Sequence, residues 1–265
     1  MRFLRLIIKG LNIISEDGFL QFLREFKKFM IRYIIPGGLR DLIYIRNLKL
    51  QLRQRPEFTS SFDLVFASKN ELDDLSDKYG TDKGGTYAPV SWDTHSYTPI
   101  YDLIFGHLDP NIVLECGIGT NNPDNLSTMG VDYSPGASLR MWKEYFPDSL
   151  IIGLDIDEEI LFQEDRIETY QVDQTSETSI NKFVSHFGEE FRIDIVIDDG
   201  LHTGEAALTL LNELFGFVET GGLYIIEDLK IDYVLEVLTA LEEDYNVASV
   251  HVMTNRQDSL IVIRK

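Results

Sequence analysis

Two groups of polar residues, each directly after a short apolar run, are the part of this chain best suited to chemistry. Asp198, Asp199 and His202 follow one run, and Glu227 and Asp228 follow another. Such runs are typical of strands buried on both faces, and ligands of open α/β sheets bind beyond the carboxyl ends of those strands. We therefore expect these acids and the histidine to meet at one rim of a sheet.

Carboxylates gathered at one rim repel one another unless a positive charge lies among them. A hard divalent cation held by oxygen ligands is the simplest way to supply that charge. Asp199, Glu227 and Asp228 are the predicted metal ligands, and His202 is left free as a general base. The alternative is structural, because acids at strand ends also serve as helix N-caps or turn residues.

Two glycines follow the first strand of the predicted sheet. Gly117 and Gly119 lie directly after Ile112–Cys116, where glycine lets the backbone turn sharply and approach a ligand closely. A dinucleotide fingerprint would need a third glycine at position 122, where this chain has Asn122. The pattern therefore counts against NAD and FAD.

Acids at the ends of the next two strands indicate a nucleoside cofactor. Asp155 could accept hydrogen bonds from both hydroxyls of a ribose, and Asp173 with Gln174 could bind an adenine edge. The segment Asp155-Ile156-Asp157 also has the Asp-x-Asp form that holds a metal and a sugar nucleotide in glycosyltransferases. That alternative leaves the later acids and His202 unexplained.

Strands and helices that could position these residues alternate from about residue 110. The candidate strands are 112–116, 150–156, 168–172, 194–197, 223–226, 248–253 and 259–263, and the candidate helices are 138–146, 179–187, 205–217 and 233–243. The last two strands are joined by too few residues for a crossover helix and should pair antiparallel. The pattern predicts an α/β fold with a doubly wound, mostly parallel, seven-stranded, Rossmann-like sheet and a C-terminal antiparallel hairpin.

From about residue 70 to residue 265 the chain resembles metal-dependent sugar O-methyltransferases of the macrolide-tailoring type, within the class I S-adenosylmethionine (SAM) superfamily. The matching segments are 78–83, 95–97 with Tyr101, 136–142, 164–166, 198–202 and 221–229. The resemblance implies a class I methyltransferase fold, SAM and Mg²⁺ as cofactors, and a hydroxyl of a sugar or glycosylated small molecule as acceptor. Leu201 stands where this family commonly has serine, a departure that bears on the substrate.

Residue roles follow from the resemblance together with the strand-end pattern. Asp199, Glu227 and Asp228 would ligate Mg²⁺, and His202 would be the general base. The expected cofactor-binding residues are Glu115, Gly117, Gly119, Asp155, Asp173, Gln174 and Asp198. An upstream segment is expected to fold over the cofactor or acceptor as a lid, or else to be a solvated loop, and its residues are Thr81, Lys83, His95, Tyr97 and Tyr101.

The charge of the chain is distributed unevenly. Its formal net charge is −20, yet residues 1–56 contain 12 Lys and Arg against 4 Asp and Glu, which leaves 12 basic and 40 acidic residues after position 56. So acidic a region is poorly suited to nucleic acid, because phosphate neutralisation needs clustered Lys and Arg. Cys116 is the one cysteine, so no intramolecular disulfide can form, as expected for a cytoplasmic protein.

The basic N-terminal region is predicted to be a separate amphipathic helical extension over residues 1–60, followed by a methyltransferase domain over 61–265. No stretch reaches the ~18 apolar residues of a membrane span, and the N-terminus lacks a signal-peptide cleavage pattern. Its apolar face is expected to pack on the main domain or on a second copy in a homo-oligomer. Peripheral contact of residues 1–56 with an anionic membrane is the alternative, and with it a non-catalytic membrane-associated scaffold.

Overall fold

The structure, a computed structural model, describes residues 59–60, 70–84, 95, 97–124, 128–255 and 258–265. Apart from Thr59–Ser60, the helical extension predicted over residues 1–60 lies outside these ranges, as do its expected contacts with a second copy or a membrane. Within the described ranges, no helix combines the length and the hydropathy needed to cross a membrane.

Strands and helices alternate along most of the described chain. The strands are β1 (Thr59–Ser60), β2 (Ile112–Cys116), β3 (Leu150–Asp155), β4 (Gln163–Glu164), β5 (Ile167–Gln171), β6 (Ile193–Asp198), β7 (Val218–Lys230), β8 (Ser249–Asn255) and β9 (Asp258–Arg264). The α-helices are α1 (Glu71–Tyr79), α2 (Thr98–Phe105), α3 (Ala137–Tyr145), α4 (Glu177–Ser185), α5 (Gly204–Leu214) and α6 (Ile231–Asp244), and two short 3-10 helices span Glu158–Ile160 and Phe215–Phe217.

All described strands belong to one sheet, in the order β1-β8-β9-β7-β6-β2-β3-β5-β4. The central run β7-β6-β2-β3-β5 is parallel, and β9 pairs antiparallel with both β7 and β8. The predicted doubly wound sheet with a C-terminal hairpin is therefore confirmed. The predicted number of seven strands is corrected, because β1 and β4, each of two residues, extend the two edges of the described sheet.

The strand order places helices on both faces of the sheet. From β2 the chain moves outward through β3 to β5, and it then returns beside β2 at β6 and moves the other way to β7. Because such crossovers are right-handed, opposite directions of travel place α3 on one face and α5 on the other. The strand order reverses between β2 and β6, and ligands of such sheets bind at this switch point.

A buried cluster joins the first three helices to one face of the sheet. Tyr101 and Phe105 of α2 pack with Trp142 of α3, and strand residues such as Ile195 and Ile225 complete the cluster. The periodicity of α3 explains its place, since its Leu139 and Trp142 are both fully buried and lie on one helical face. This packing holds α2 and α3 against the strands whose carboxyl ends form the candidate site.

Candidate active site

The strands β2, β6 and β7 lie in register beside the switch point. Cys116 pairs with Asp198, which in turn pairs with Ile226 on β7. The Asp199 amide donates to the carbonyl of Cys116 at 2.8 Å. The next residue along each strand therefore lies at the same rim, which brings together the glycine loop and both groups of acids as the strand-end pattern predicted.

A β-bulge lets two consecutive acids serve this rim. The pairing of β7 with β9 shifts between Ile226 and Leu229, and Asp228 within the shift has a left-handed backbone with φ 48°. Successive strand residues normally point to opposite faces, whereas a bulge re-aims a side chain and is common beside active sites. His202 is also left-handed, with φ 58°. Non-glycine residues in this conformation often accompany function.

A lysine ammonium lies inside the acid cluster. The Nζ atom of Lys83 is 2.6 Å from Asp199 Oδ2, 2.7 Å from Glu227 Oε2 and 3.0 Å from Glu115 Oε1. Its side chain is 2% exposed. A positive charge among these acids is therefore supplied by the chain itself. This internal position also differs from the lid expected for Lys83.

Both carboxylate oxygens of Glu227 have partners within the protein. The hydroxyl of Tyr101 donates to Oε1, while Lys83 occupies Oε2, and the residue is 1% exposed. Burial raises the pKa of Glu227, and the Lys83 ammonium offsets only part of the shift. The geometry thus places Glu227 in an inner layer beneath the rim, a position that differs from the one expected for a metal ligand.

Glu115 belongs to the same inner layer. It is fully buried, and the indole Nε1 of Trp142 donates to its Oε2 at 2.8 Å. Burial raises the pKa of Glu115, and Lys83 opposes the shift. These contacts differ from the direct cofactor contact expected for Glu115, and they give Trp142 a role that the sequence pattern had not indicated. An indole deep in an amphipathic helix was the available signal for a buried acceptor, since buried Trp N–H groups usually find one.

The outer layer of the rim consists of Asp199, His202 and Asp228. Ligand atoms of these three residues lie within 4.8 Å of one another, and among the described residues they form the one His, Cys, Asp and Glu group close enough to share a metal ion. His202 Nε2 is 3.3 Å from Asp199 Oδ1. Two predicted ligands and the predicted base therefore meet, without Glu227.

Residues of the expected lid hold Asp228 from the other side. His95 Nδ1 is 3.0 Å from Asp228 Oδ1, and the hydroxyl of Tyr97 donates to the same oxygen. The rings of His95 and Tyr97 stack with centroids 5.3 Å apart. Thr81 is 2% exposed, and its carbonyl accepts a hydrogen bond from Ser76. The described part of this segment supports the acid cluster from within.

The charges at the rim reinforce one another. Burial by itself would raise the pKa of Asp199, but Lys83 and the hydrogen bond to His202 lower it below its ordinary value. Burial favours the neutral form of His202, yet the hydrogen bond to Asp199 and the charges of Asp199 and Asp228 raise its pKa to about 9. The pKa of His95 rises to about 11, because hydrogen bonds to Asp228 and Asp82 outweigh its burial.

The two glycines after β2 are required by the protein itself. Gly117 and Gly119 have φ values of 87° and 76°, and a Cβ at Gly117 would overlap the carbonyl oxygen of Asp199. A Cβ at Gly119 would overlap the ring of Tyr133. The close approach inferred from the sequence is therefore made, at least in part, to neighbouring chain segments.

Asp155 lies at the rim beside this loop. Its Oδ2 accepts from the amide of Ile118 at 3.0 Å, and its Oδ1 accepts from the amide of Asp157 at 3.0 Å. Burial raises the pKa of Asp155, against the opposing effect of these amide hydrogen bonds. Its partly buried carboxylate thus couples the glycine loop to the end of β3, which is where a ribose ligand was expected.

The residues expected near adenine are placed differently. Gln174 donates from Nε2 to Asp198 Oδ1 at 2.6 Å, and its Oε1 accepts from the Leu201 amide at 2.9 Å. Asp198 is 2% exposed, and burial raises its pKa to about 6. Asp173 accepts from the amide of Thr175 at 2.9 Å, which forms a turn before α4. Gln174 and Asp198 therefore brace the loop that carries His202.

Comparison with known proteins shows similarity to O-methyltransferases of actinobacteria. Demethylmacrocin O-methyltransferase of Streptomyces fradiae is 37% identical over 169 residues, which are 63% of this chain and 38% of that protein. Mycinamicin VI 2''-O-methyltransferase of Micromonospora griseorubida is 36% identical over 167 residues, which are 62% of this chain and 37% of that protein. The chain thus spans less than two fifths of the length of these relatives.

Solved structures give the same picture. The MycE methyltransferase from the mycinamycin biosynthetic pathway, in complex with Mg and SAH, matches with a TM-score of 0.57 and 29% identity, over 75% of this chain and 55% of that chain. A MycE complex that also contains mycinamycin VI matches equally well, with a TM-score of 0.57. No profile of a known protein family matches the chain. The chain therefore has a class I methyltransferase fold, and over about three fifths of its length it resembles the sugar O-methyltransferases of macrolide pathways.

Proposed function

We propose that the chain is a SAM- and Mg²⁺-dependent O-methyltransferase that acts on a hydroxyl of a sugar or a glycosylated small molecule. The observation that carries the proposal is the rim at the switch point, where the glycine loop after β2 contacts Asp199 beside His202 and Asp228. Similarity to enzymes named for glycosylated acceptors, and to a structure that holds Mg and SAH, supports the reaction class.

The outer layer of the rim fits a hard divalent cation. Mg²⁺ in proteins is commonly held by one or two carboxylates, with water and substrate oxygens completing its shell. Asp199 and Asp228 would supply the two carboxylates, and their ligand atoms lie within reach of one ion. A cation held there would orient the acceptor hydroxyl and lower its pKa.

The glycine loop and Asp155 fit a nucleoside cofactor at the neighbouring strand ends. Asp155 already binds the Ile118 amide, so the acid and the loop are held as one unit. When bound, SAM supplies an electrophilic methyl group on its sulfonium. The task of the protein is then to position that methyl group against the acceptor and to remove a proton.

His202 would be the general base that removes that proton. Because its Nε2 faces Asp199 Oδ1, the hydroxyl proton would go to Nδ1, while the methyl group would pass from the sulfonium of SAM to the acceptor oxygen, which would yield SAH and a methyl ether. The resulting imidazolium lies 3.3 Å from Asp199 Oδ1, whose charge stabilises it. Solvent can then take the proton, because the His202 side chain is 32% exposed.

The glycosyltransferase alternative receives no support from the geometry of Asp155 and Asp157. The Asp157 carboxylate accepts from the hydroxyl of Thr120 at 3.1 Å and from the amide of Glu159 at 3.1 Å, as an N-cap. Among the described residues, the one group of three or more possible metal ligands lies elsewhere, at Asp199, His202 and Asp228. The scaffold alternative concerns residues 1–60, which lie almost wholly outside the described ranges.

Calorimetry with SAH and with a sugar nucleotide tests the proposal. We expect SAH to bind and UDP-glucose not to bind, and we expect methyl transfer from SAM to glycosylated macrolides to require added Mg²⁺. Asp155→Asn should weaken SAH binding roughly tenfold or more, because it removes a charged acceptor. Asp148→Asn, an exposed acid before the same strand, is the control. Full activity in the presence of a chelator would contradict the metal requirement.

A further inference from the structure

Lys83 is the only described residue whose side chain joins all three strand ends of the site. Its ammonium contacts Glu115 on β2, Asp199 directly after β6 and Glu227 on the bulge of β7. These partners lie at opposite sides of the switch point, on the glycine-loop strand and on the two acid-bearing strands. One side chain thus ties the cofactor side of the sheet to the acid cluster.

Burial makes the ion pairs of Lys83 necessary for the stability of the acid cluster. The side chains of Lys83, Glu115 and Glu227 are 2%, 0% and 1% exposed. A buried charge is strongly unfavourable unless it is paired and hydrogen-bonded. Each carboxylate is therefore confined to the orientation in which one of its oxygens faces the ammonium.

The choice of oxygen matters for the rim. Lys83 takes Oδ2 of Asp199, and the other oxygen, Oδ1, then lies toward His202 Nε2 at 3.3 Å. One carboxylate oxygen of Asp228 is likewise occupied by protein partners, since His95 and Tyr97 both contact its Oδ1. Partners behind metal-binding carboxylates set their orientation and are often worth a large factor in metal affinity.

We propose that Lys83 is a positioning residue, which holds Asp199 through Oδ2 so that Oδ1 faces the cation site formed with Asp228. The identity of the cation rests on the proposed function, whereas the positioning role rests on the contacts of Lys83. The same ammonium anchors Glu115 and Glu227 below the rim. Lys83 thereby couples the strand of the cofactor loop to the strands of the cation site.

Mn²⁺ binding measured by electron paramagnetic resonance tests this role on the full chain. Lys83→Met keeps an unbranched side chain but removes the charge, and we expect its Kd for Mn²⁺ to rise roughly 10- to 100-fold. In turnover assays, Lys83→Met should need a higher Mg²⁺ concentration than wild type, and part of its kcat should be recovered at high Mg²⁺. Binding of Mn²⁺ that is unchanged, or tighter because a competing charge has gone, would overturn the proposal.

Two control variants separate positioning from loss of charge and loss of stability. Lys78→Met removes an exposed lysine from the segment 70–84 that also contains Lys83, and it should leave Mn²⁺ binding unchanged, because Lys78 pairs with Glu144 of α3. Trp142→Phe removes the Nε1 hydrogen bond to Glu115. It should lower the midpoint of thermal unfolding while its Mn²⁺ Kd stays within about threefold of wild type. If Trp142→Phe weakened Mn²⁺ binding as much as Lys83→Met, the effect would be general destabilisation and the proposal would fail.

A double variant covers the case in which Lys83→Met does not fold. Lys83→Met with Glu115→Gln removes one buried charge of each sign, and it should fold yet still bind Mn²⁺ weakly. Failure of both variants to fold would make Lys83 a folding determinant and would overturn the positioning role. If the wild-type chain binds SAH but not Mn²⁺, the positioning role of Lys83 is overturned and the proposed use of SAM stands. If the wild-type chain binds Mn²⁺ but not SAH, the proposed use of SAM is overturned and the positioning role of Lys83 can still be tested.

Discussion

At the scale of single residues, His202 combines a constrained backbone with a side-chain contact to Asp199. Its left-handed conformation, φ 58°, is tolerated by few residues other than glycine, asparagine and aspartate. The loop that carries it is held by Gln174, which accepts from the amide of Leu201. The ring is therefore held beside Asp199, the position that the proposed general base would need.

Replacement of His202 by asparagine tests the base role without disturbing the backbone. His202→Asn should retain SAH binding and lose roughly 10²–10⁴-fold in turnover. The wild-type rate should rise with pH, because the neutral imidazole is the active form, and the variant should lack this rise. His186→Asn, at the exposed end of α4, should keep normal turnover. A His202→Asn variant with the wild-type pH profile would make the imidazole structural.

The contacts of His202 also predict the pKa of its imidazole in the metal-free protein. Nuclear magnetic resonance should show a pKa of about 9 for His202, since the hydrogen bond to Asp199 and the negative charges of Asp199 and Asp228 favour the imidazolium. Added Mg²⁺ should lower this pKa, because a neighbouring cation disfavours the charged ring. A pKa that does not change on addition of Mg²⁺ would place the cation away from His202.

At the scale of elements, the loop after β2 depends on contact between two strand ends. Gly117 has φ 87°, and its α-carbon lies so close to the carbonyl of Asp199 that no side chain fits. The loop is also tied to β3, because the amide of Gly117 donates to the carbonyl of Leu154 at 2.8 Å. The glycine thus serves conformation and packing together.

Alanine substitution at two glycines separates these effects. Gly188 has φ 83°, and no heavy atom lies within 4 Å of the place that a Cβ would take. Gly188→Ala should therefore cost only the left-handed strain of about 1–2 kcal/mol. Gly117→Ala should lower the free energy of unfolding by more, on the order of 3 kcal/mol or beyond, because Asp199 must move as well. Urea denaturation measures both losses, and equal losses would show that the Asp199 contact relaxes without cost.

At the scale of the whole molecule, the stability of the domain is linked to proton binding in the buried cluster. His95 carries a positive charge between Asp228 and Asp82, and Lys83 carries another among three carboxylates. The charge pattern is favourable only while these groups keep their protonation states. Global unfolding should therefore respond to pH through residues of the candidate site.

The contribution of His95 has a defined sign. Its pKa rises from 6.5 to about 11 on folding, so its stabilising effect is complete below pH 6.5 and is lost as pH rises toward 11. In the presence of a chelator, the free energy of unfolding of His95→Gln should therefore lie further below that of wild type at pH 6 than at pH 10. Urea midpoints at the two pH values measure this, and a difference that grows with pH would contradict the pairing with Asp228 and Asp82.

Local patterns in the sequence were sufficient for much of the architecture. Alternation of apolar runs with helical periodicity predicted every central strand, and β2 has the predicted bounds of Ile112–Cys116. The acids at strand ends came together because parallel strands in register bring equivalent positions to one rim. The predicted strand over 223–226 was too short, because pairing with β9 extends β7 across a bulge to Lys230. Such pairing depends on a distant segment.

By itself, the sequence determined the fold class, the order of the strand ends and the residues that gather at the rim, since periodicity and turn chemistry act over short stretches of chain. Tertiary structure alone decided which acids pair with Lys83 and which oxygens remain for a cation. Lys83 is 116 residues from Asp199 and 144 residues from Glu227 along the chain. No local pattern specifies such a contact, because it arises only when packing brings three distant carboxylates within reach of one buried ammonium.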